Sequence, residues 1–267
     1  MAILLAAGNY FGTERKADEN SCFKLNITHY QPYTEIHEHY HENAYLSLLI
    51  SGHYQEVHKH TDHILSPGEI IFRPAGYNHA NHFQHTGGSC LNIEFKEEIL
   101  QQQALKSLVP GSTTIYQAGT FEYLYKLLYC FINNIDSGLS EEYLFRWMAT
   151  HDPHQSHLPV RLPWLSKAIR ILENEPEERH SITSLAARVY VHPVYLARAF
   201  KERTGLTPGE YQLKIRIQKA MALLFRTRLS VNEIACSTGF TDAAHFIRSF
   251  RLFYPATPHR FRSALKS

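Results

Sequence analysis

Residues 198–211, RAFKERTGLTPGEY, recur fifty residues further along the chain as residues 248–261, RSFRLFYPATPHRF. Each copy begins with arginine, has a phenylalanine two residues later and carries a Thr-Pro pair at the same place. The similarity extends upstream, where Leu185-Ala186 corresponds to Ile234-Ala235 at an offset of 49. The second copy therefore has one extra residue in the turn around Gly239, and this part of the chain is an internal duplication.

Each copy has the pattern of a short helix, a tight turn and a longer helix, which is a helix-turn-helix unit. Helix start signals support this interpretation. Thr207 with Glu210, and Ser230 with Glu233, are spaced as capping boxes, in which a hydroxyl and a carboxylate bind the free backbone amides of a first turn. The pattern predicts the longer helix of the first unit from about Pro193 to Thr204.

Helical spacing separates a buried face from an open face in both longer helices. Leu196 and Phe200 in the first unit, and Phe246 and Phe250 in the second, are four residues apart and are predicted to face the core. A helix that fits the major groove can present its open face to base edges. The predicted DNA-contacting residues are Val194, Ala197, Arg198 and Lys201 in the first unit and Ala243, Ala244, Ile247, Arg248 and Arg251 in the second.

Charge divides the chain in the same place as the repeat. Residues 1–160 carry 9 basic and 17 acidic residues, a net charge of −8, whereas residues 161–267 carry 18 and 8, a net charge of +10. A basic domain attached to an acidic one indicates different partners for the two, and the basic part is the expected electrostatic footprint for nucleic acid. A basic helical bundle without a ligand is the alternative, which the duplicated arginine disfavours.

The second copy of the repeat contains Ile234-Ala235, Gly239-Phe240 and the segments 246–251, FIRSFR, and 257–262, TPHRFR. Through these residues the stretch 163–267 resembles the DNA-binding domain of the AraC/XylS family of transcription regulators. The resemblance implies seven helices, with a long helix over about 208–225 joining the two units and two recognition helices in successive major grooves. The chain departs from the family at two sites: Pro255 replaces a usual glycine, which predicts a differently built bend, and His192 replaces a usual serine cap.

The region before about residue 96 has the alternation of β-strands. Phe23, Leu25 and Ile27 alternate with polar residues, as do Leu91, Ile93 and Phe95, and Ser51-Gly52, Ser66–Gly68 and Pro74–Gly76 are predicted turns. The period then becomes helical. A stripe of Phe121, Tyr125, Leu128 and Ile132, widened by Leu124 and Phe131, predicts a helix capped by Thr120, and a second helix is expected after Ser140. The proline-rich stretch 151–163 is predicted to be a linker.

Two segments of the acidic half resemble the paired motifs of the cupin barrel. They are residues 39–52, from His39-Tyr-His41 to Gly52, and residues 68–79, from Gly68 to His79, with Tyr45 in place of the usual ligand glutamate. The resemblance implies a site in which His39, His41 and His79 bind a divalent metal ion. The alternative is a pocket without metal that binds an organic effector, with His37, Tyr45 and Arg73 as the candidate contacts.

The sequence thus predicts an α+β two-domain protein: a cupin-like β-barrel with a helical segment at residues 1–158, and an all-α double helix-turn-helix domain at residues 159–267. Within the first, the sensor is expected at about 10–96 and a dimerisation segment at about 97–150. The predicted function is a DNA-binding transcription regulator controlled by a small molecule, such as a sugar or another metabolite. It is expected to be cytoplasmic, homodimeric and not an enzyme, and to contact RNA polymerase if it activates transcription.

Two other functions are compatible with the same residues. One is a metal-responsive regulator in which His39, His41 and His79 bind the signal itself. The other is a metal-dependent cupin oxygenase or isomerase, which the missing glutamate and the helix-turn-helix repeat both disfavour. Four scattered cysteines without a Cys-x-x-Cys pair argue against a disulfide framework or a zinc ribbon.

Overall fold

A computed structural model describes residues 2–20, 22–58, 61–97, 109–150 and 162–266 of the chain. The chain divides into two compact units, residues 1–153 with 261–267, and residues 154–260. Most of the predicted linker and the predicted domain boundary at residue 158 lie outside the described residues. Within the described ranges, no helix combines the length and the apolar character needed to cross a membrane.

The first unit is built on a curled β-sheet, as the sequence predicted. In the part of the chain that the structure describes, the strands are β1 Ile3–Leu5, β2 Thr13–Glu19, β3 Phe23–Tyr30, β4 Glu35–His41, β5 Tyr45–His58, β6 Thr61–Leu65, β7 Ile70–Arg73, β8 His79–Phe95 and β9 Thr114–Tyr116. The sheet order is β1-β4-β8-β5-β7-β9, with β3 pairing β2 and β8, and β6 pairing β5. β1 and β4 are parallel and the other pairs are antiparallel.

Two long strands bend to curl this sheet. β5 and β8 pair along most of their length, with register shifts near Ser51 and Gly52. Gly52 has φ +83°, and a Cβ there would lie 1.9 Å from the carbonyl oxygen of Gly87. The predicted turn at Ser51-Gly52 is therefore wrong: the residues form a bulge inside β5, where only glycine allows the two backbones to approach.

The sheet boundaries differ from the predicted 10–96 sensor. β1 begins at Ile3, and β9 at residues 114–116 pairs with β7, so the segment expected to be helical also contributes a strand. Strands form where the alternation predicted them, and Phe23 and Phe95 are fully buried. Burial itself does not alternate as predicted, because the intervening polar residues Asn26, Asn92 and Glu94 are buried too. One core cluster of the barrel contains Tyr30, Ile36, Leu49, Tyr54, Leu65, Ile71, Phe83 and Cys90.

Two helices follow the strands, α1 at Glu122–Ile132 and α2 at Ser137–Ala149. The N-cap of α1 is Phe121, whose side chain does not cap the helix, whereas the hydroxyl of Thr120 donates to the carbonyl of Gln117; the predicted Thr120 cap is wrong. The second helix begins three residues before Ser140. Asp136 caps the helix by accepting a hydrogen bond from the amide of Gly138, so the helix starts earlier in the chain than predicted.

The apolar stripe of α1 packs within its own unit. Leu124, Tyr125 and Leu128 are fully buried, and the Tyr125 hydroxyl donates to the carbonyl of Gly68 over 2.7 Å. On α2, the ring of Trp147 lies 6.2 Å from that of Phe95 on β8. The buried surface of this helix pair therefore contributes to the core of its own unit.

The described chain after residue 161 is helical. The described helices after residue 161 are α3 Pro163–Asn174, α4 Ile182–Val189, α5 Pro193–Thr204, α6 Pro208–Arg226, α7 Val231–Ser237, α8 Ala243–Phe253 and α9 Pro258–Ala264. These are the seven helices that the family resemblance implies, and α5 has the predicted bounds. Leu196, Phe200, Phe246 and Phe250 are all completely buried, which confirms the predicted core pairs.

The helix ends follow the predicted signals with two local differences. Both capping boxes form, at Thr207 with Glu210 and at Ser230 with Glu233. His192 replaces the expected hydroxyl cap, since its Nδ1 accepts a hydrogen bond from the amide of Val194. After α5 the chain turns at Gly205 with φ +73°, but after α8 it continues in an extended conformation at Tyr254 with φ −128°. The bend before Pro255 is thus built differently, as predicted.

Candidate nucleic-acid interface and ligand cavities

The second helix of each helix-turn-helix unit presents an open face to solvent. On α5, Val194 is 70% exposed, and Arg198 and Lys201 are exposed beside half-buried Ala197. On α8, the exposed residues are Ala244, Arg248 and Arg251, with Ala243 and Ile247 half-buried. The nine predicted DNA-contacting residues therefore all lie away from the buried core face of their helices.

The two equivalent arginines are free to reach a ligand. Arg198 Nε donates to Glu202 Oε1 over 2.8 Å, one helical turn away on the same helix. Both side chains are mostly exposed, at 80% and 59%, and an exposed ion pair of this kind contributes little. Arg198 can therefore leave Glu202 for a base edge or a phosphate at small cost. Arg248 is exposed at the corresponding position of α8.

Three histidines of the first unit converge inside the barrel. One ligand nitrogen from each of His39, His41 and His79 lies within 4.8 Å of the others, and all three side chains are buried. β4 supplies the first two and β8 the third, and the antiparallel pairing of these strands sets His39 opposite His79. The predicted grouping is reproduced in the structure.

Burial keeps these imidazoles neutral. It is the main cause that lowers the pKa of His41 to about 3, aided by the neighbouring His39 and Arg73. Desolvation likewise lowers the pKa of His39 and lowers that of His79 further. Neutral rings keep one nitrogen lone pair each, which is the form that can bind a cation or accept a hydrogen bond.

Backbone carbonyls fix two of the three tautomers. Nδ1 of His39 lies 2.9 Å from the carbonyl oxygen of His37, and Nδ1 of His79 lies 3.1 Å from that of Tyr77. A carbonyl only accepts, so each Nδ1 carries the proton and each Nε2 carries the lone pair. Nδ1 of His41 is buried without a hydrogen-bond partner. Such carbonyl contacts are typical of metal-binding histidines.

Tyr45 changes the chemistry of this cluster. Its hydroxyl lies 3.2 Å from Nε2 of His79, and burial raises its pKa, so the phenol stays protonated and donates to that lone pair. In the cupin motif a glutamate at this place would be a fourth ligand. Here the phenol occupies one of the three lone pairs that a metal ion would need, so the histidines fit a metal only incompletely.

A buried ion pair flanks the cluster. Arg73 Nε donates to Glu56 Oε1 over 3.1 Å, its Nη2 contacts the second oxygen, and Nη2 also donates to the Tyr54 hydroxyl over 3.0 Å. Burial lowers the pKa of Arg73, but the stronger combined effect of Glu56, Tyr45 and Tyr54 raises it overall, so the guanidinium remains charged. Its positive charge helps to hold the nearby histidines neutral.

His37 does not reach the site that the sequence assigned to it. The strand register shifts between Ile36 and His39, and this irregularity leaves the His37 side chain exposed while Ile36, His39 and His41 point inward. Only its backbone carbonyl takes part, through His39. Regular alternation along β4 would place residues 37, 39 and 41 on one face, and the bulge breaks that alternation.

The N-terminal segment supplies residues that sequence reasoning missed. The ring of Tyr10 lies 4.9 Å from His41, and the ring of Phe11 lies 5.1 Å from His39. Buried Glu94 holds this segment, because it accepts hydrogen bonds from the Gly8 amide over 2.8 Å and from the Tyr10 hydroxyl over 3.3 Å. No local motif marks these residues, because Glu94 lies more than eighty positions away from Gly8 and Tyr10 in the sequence.

Two neighbouring cavities of very different size lie among the described residues of the first unit. The one at the histidines, also lined by Tyr45 and Arg73, measures about 20 Å³, which is room for one water-sized guest. The other measures about 650 Å³ and is lined by Glu56, His58, Ile71, Tyr77 and Ile115 among others. Pockets for small organic ligands span roughly 300–1,000 Å³, so of these two the second has a suitable volume. The Glu56–Arg73 pair joins the two, one partner lining each. A separate cavity of about 370 Å³, lined by Gly8, Lys24 and Asn26 among others, also falls in this range but lies away from the histidines.

Two helix-turn-helix units joined by the single helix α6 define the second unit as a helix-turn-helix domain. A family model described as "Helix-turn-helix domain" matches residues 185–264. Among curated relatives, the transcriptional regulator ArgR of Pseudomonas aeruginosa is 31% identical over 42% of this chain and 34% of its own length. The transcriptional regulator MtrA of Neisseria gonorrhoeae is 34% identical over 37% of this chain and 33% of its own length. The chain thus spans about one third of the length of these relatives.

Two solved structures with similarity to the chain differ in how much of it they cover. An AraC-type DNA-binding domain protein from Chromobacterium violaceum is 32% identical over 39% of this chain and 92% of that chain, with a TM-score of 0.37. ToxT from Vibrio cholerae, with 12% identity, covers 93% of this chain and 99% of its own at a TM-score of 0.40. Residues 185–264 thus match a helix-turn-helix domain, and this part of the chain is similar to transcriptional regulators of that type.

Proposed function

We propose that this protein is a transcription regulator that binds duplex DNA through α5 and α8. The observation that carries the proposal is the duplicated open face, with Arg198 and Arg248 exposed at equivalent positions of the two units. The net charge of +10 over residues 161–267 supports it, because a basic surface of this size attracts the phosphate backbone. Apolar residues such as Val194 and Ile247 suit contact with thymine methyl groups.

Binding of the full chain to duplexes selected from a random pool tests this function. Arg198→Ala and Arg248→Ala should each weaken specific binding by about 5- to 150-fold if the arginines contact guanine edges. Arg170→Ala is the control: it removes one positive charge at an exposed position of α3, outside the two recognition helices. It should leave the sequence preference unchanged. Equal losses on specific and random duplexes would make the arginines phosphate contacts. A folded chain that binds no duplex at low salt would refute the proposed function.

We further propose that a small organic effector controls the regulator from the first unit. The larger cavity supports this, since its imidazoles, phenol and carboxylate offer hydrogen bonds above apolar Ile71 and Ile115, as a sugar or similar metabolite would require. Binding there would change DNA affinity through a coupling free energy between the two sites. Tyr45 and Arg73 would act beside this cavity rather than inside it, since they line the smaller one.

A panel of sugars and other metabolites, screened for changes in the DNA affinity of the full chain, tests effector control. Ser112→Trp would fill the larger cavity and should abolish the response while DNA binding persists. Thr86→Trp introduces the same ring at an exposed position that does not line the cavity and should respond normally. A response that survives in Ser112→Trp would place the effector elsewhere.

A metal-responsive regulator is the second candidate, favoured by the convergence of His39, His41 and His79. The hydrogen bond from Tyr45 to His79 counts against it, and the named relatives do not bear on it. Metal analysis of protein purified without chelators or affinity tags separates the two. Stoichiometric metal that alters DNA affinity favours the metal sensor, whereas metal-free protein with an organic response favours the effector.

The remaining partners follow from this proposed function. A regulator that reads paired sites gains affinity from a second linked domain, so we propose a homodimer through residues of about 120–150. Because the inner stripe of α1 is buried, the contact would use the outer face with Tyr123 and Tyr143, whose rings lie 6.5 Å apart. Sedimentation of the full chain at micromolar concentration tests it, and a persistent monomer would reject it. Such a regulator would act in the cytoplasm, contact RNA polymerase if it activates, and need no catalytic site.

A further inference from the structure

We propose that Tyr190 and Lys167 form a contact to the DNA phosphate backbone beside the first recognition helix. Tyr190 is the C-cap residue that follows α4, three residues before α5 begins at Pro193, and Lys167 lies on α3. Nζ of Lys167 lies 5.2 Å from the centroid of the Tyr190 ring, so the ammonium and the phenol stand together at the surface. This inference rests on the proposed DNA-binding function and adds a contact to it.

The internal repeat shows what is unusual about Tyr190. The amide of Val191 donates to the carbonyl of Ala186 over 3.1 Å, and the amide of Phe240 donates to that of Ala235 over 3.0 Å. Each turn is thus closed by the same hydrogen bond, which aligns Tyr190 with Gly239. Both residues are left-handed, with φ of +59° and +79°. One turn uses glycine for this conformation and the other uses a large side chain.

Packing within the chain does not explain the tyrosine. Its side chain is 89% exposed, the largest exposure among the large apolar and aromatic residues of the described chain. A residue with a Cβ is disfavoured in the left-handed region, and such strain persists where a side chain serves a function. Since the ring stabilises little inside the protein, its use is expected to lie outside it.

The position of the turn points to a phosphate as the partner. In a helix-turn-helix unit the first turn of the recognition helix enters the groove, so the rim phosphates lie beside the preceding turn and helix. A phosphate oxygen accepts hydrogen bonds from both a phenol and an ammonium group. Val194 and Tyr195, exposed by 70% and 50% on the first turn of α5, extend this surface toward the groove.

Fluorescence anisotropy of the full chain on a selected duplex, over a range of salt concentrations, tests the contact. Tyr190→Phe removes only the hydroxyl and should weaken binding about 3- to 10-fold, the value of one typical hydrogen bond. The salt dependence should not change, because no charge is lost. Lys167→Ala should weaken binding and reduce the slope of log affinity against log salt by about one.

Tyr190→Gly removes the ring and suits the left-handed backbone, so it should fold with an unchanged melting temperature and bind as weakly as Tyr190→Phe or more so. Tyr33→Gly is the matched control: Tyr33 is also left-handed, with φ +60°, and is 73% exposed in the first unit. It should bind DNA normally. Unchanged affinity in Tyr190→Phe would overturn the phosphate contact while leaving the proposed function intact.

A loss of transcriptional output without a loss of DNA affinity would also overturn it, since the residue would then contact a protein. Failure of the wild-type chain to bind any duplex would instead refute the proposed function itself.

Discussion

The turn of the second helix-turn-helix unit offers a sharp test of how tightly the C-terminal unit is built. Gly239 has φ +79°, and a Cβ added there would lie 2.5 Å from Cα of Glu177 and 2.8 Å from its carbonyl oxygen. Gly205, after α5, has nearly the same φ of +73° but has nothing within 4 Å of its Cβ position. The two glycines therefore separate backbone strain from steric overlap.

The backbone at Glu177 cannot yield easily, because α6 holds it on both sides. Arg216 Nε donates to the carbonyl of Pro176 over 2.6 Å, and its Nη2 donates to that of Glu178 over 3.0 Å. Gln212 Nε2 donates to the carbonyl of Glu178 over 2.5 Å. A methyl group at residue 239 would have to displace a segment fixed by these buried side chains.

The magnitudes follow from these two environments. A left-handed alanine costs about 1–2 kcal/mol, of which the lower entropy of its unfolded chain offsets about 0.4–1 kcal/mol. Gly205→Ala should therefore destabilise the unit by about 1 kcal/mol. Gly239→Ala adds the cost of inserting a methyl group into a packed region, about 1–3 kcal/mol, for a total of about 2–4 kcal/mol.

Native-state hydrogen exchange by mass spectrometry measures the opening free energy of peptides from α7 and α8, independently of the first unit. Equal losses in Gly239→Ala and Gly205→Ala would refute the reasoning, because backbone strain alone would then explain both. A neutral Gly239→Ala would show that the contact to Glu177 is not part of the folded unit.

Three further predictions concern the first unit. Arg73→Ala should lower the free energy of unfolding of the first unit by about 3–5 kcal/mol, because Glu56 is then buried without a partner. Adding Glu56→Ala to this variant should restore part of the loss. A denaturant titration in which the double variant is no more stable than Arg73→Ala rejects the pairing. His41 has a pKa of about 3 when folded against an ordinary 6.5, so it contributes stability above pH 6.5 that is lost as the pH falls toward 3. Unfolding with chelator present should thus be less pH-dependent over this range in His41→Asn, and an unchanged pH profile counts against the shift. Tyr45→Glu should release the lone pair of His79 and supply a carboxylate ligand. Titration calorimetry with zinc or nickel should then show stoichiometric binding that the wild-type chain lacks. Equal binding by both chains would show that the Tyr45 phenol does not prevent metal binding.

Some of the fold could be deduced from local pattern alone. The repeat at 198–211 and 248–261 required no long-range information, because helical spacing and capping residues act within a few positions. For that reason α5 has its predicted bounds, and Leu196, Phe200, Phe246 and Phe250 are buried as predicted. The helix starts near Thr120 and Ser140 were misplaced, since neighbouring residues compete as caps over the same few positions.

The sequence by itself determined the identity of the histidine cluster, since His39, His41 and His79 stand at motif positions of two segments. Only the tertiary structure decided how those residues are used. The register shift in β4 turned His37 outward, the phenol of Tyr45 was aimed at His79, and the pairing of distant strands left a space too small for an organic ligand. A strand pattern states which residues alternate, whereas bulges, cavity volumes and contacts to the distant N-terminal segment depend on how the whole sheet closes.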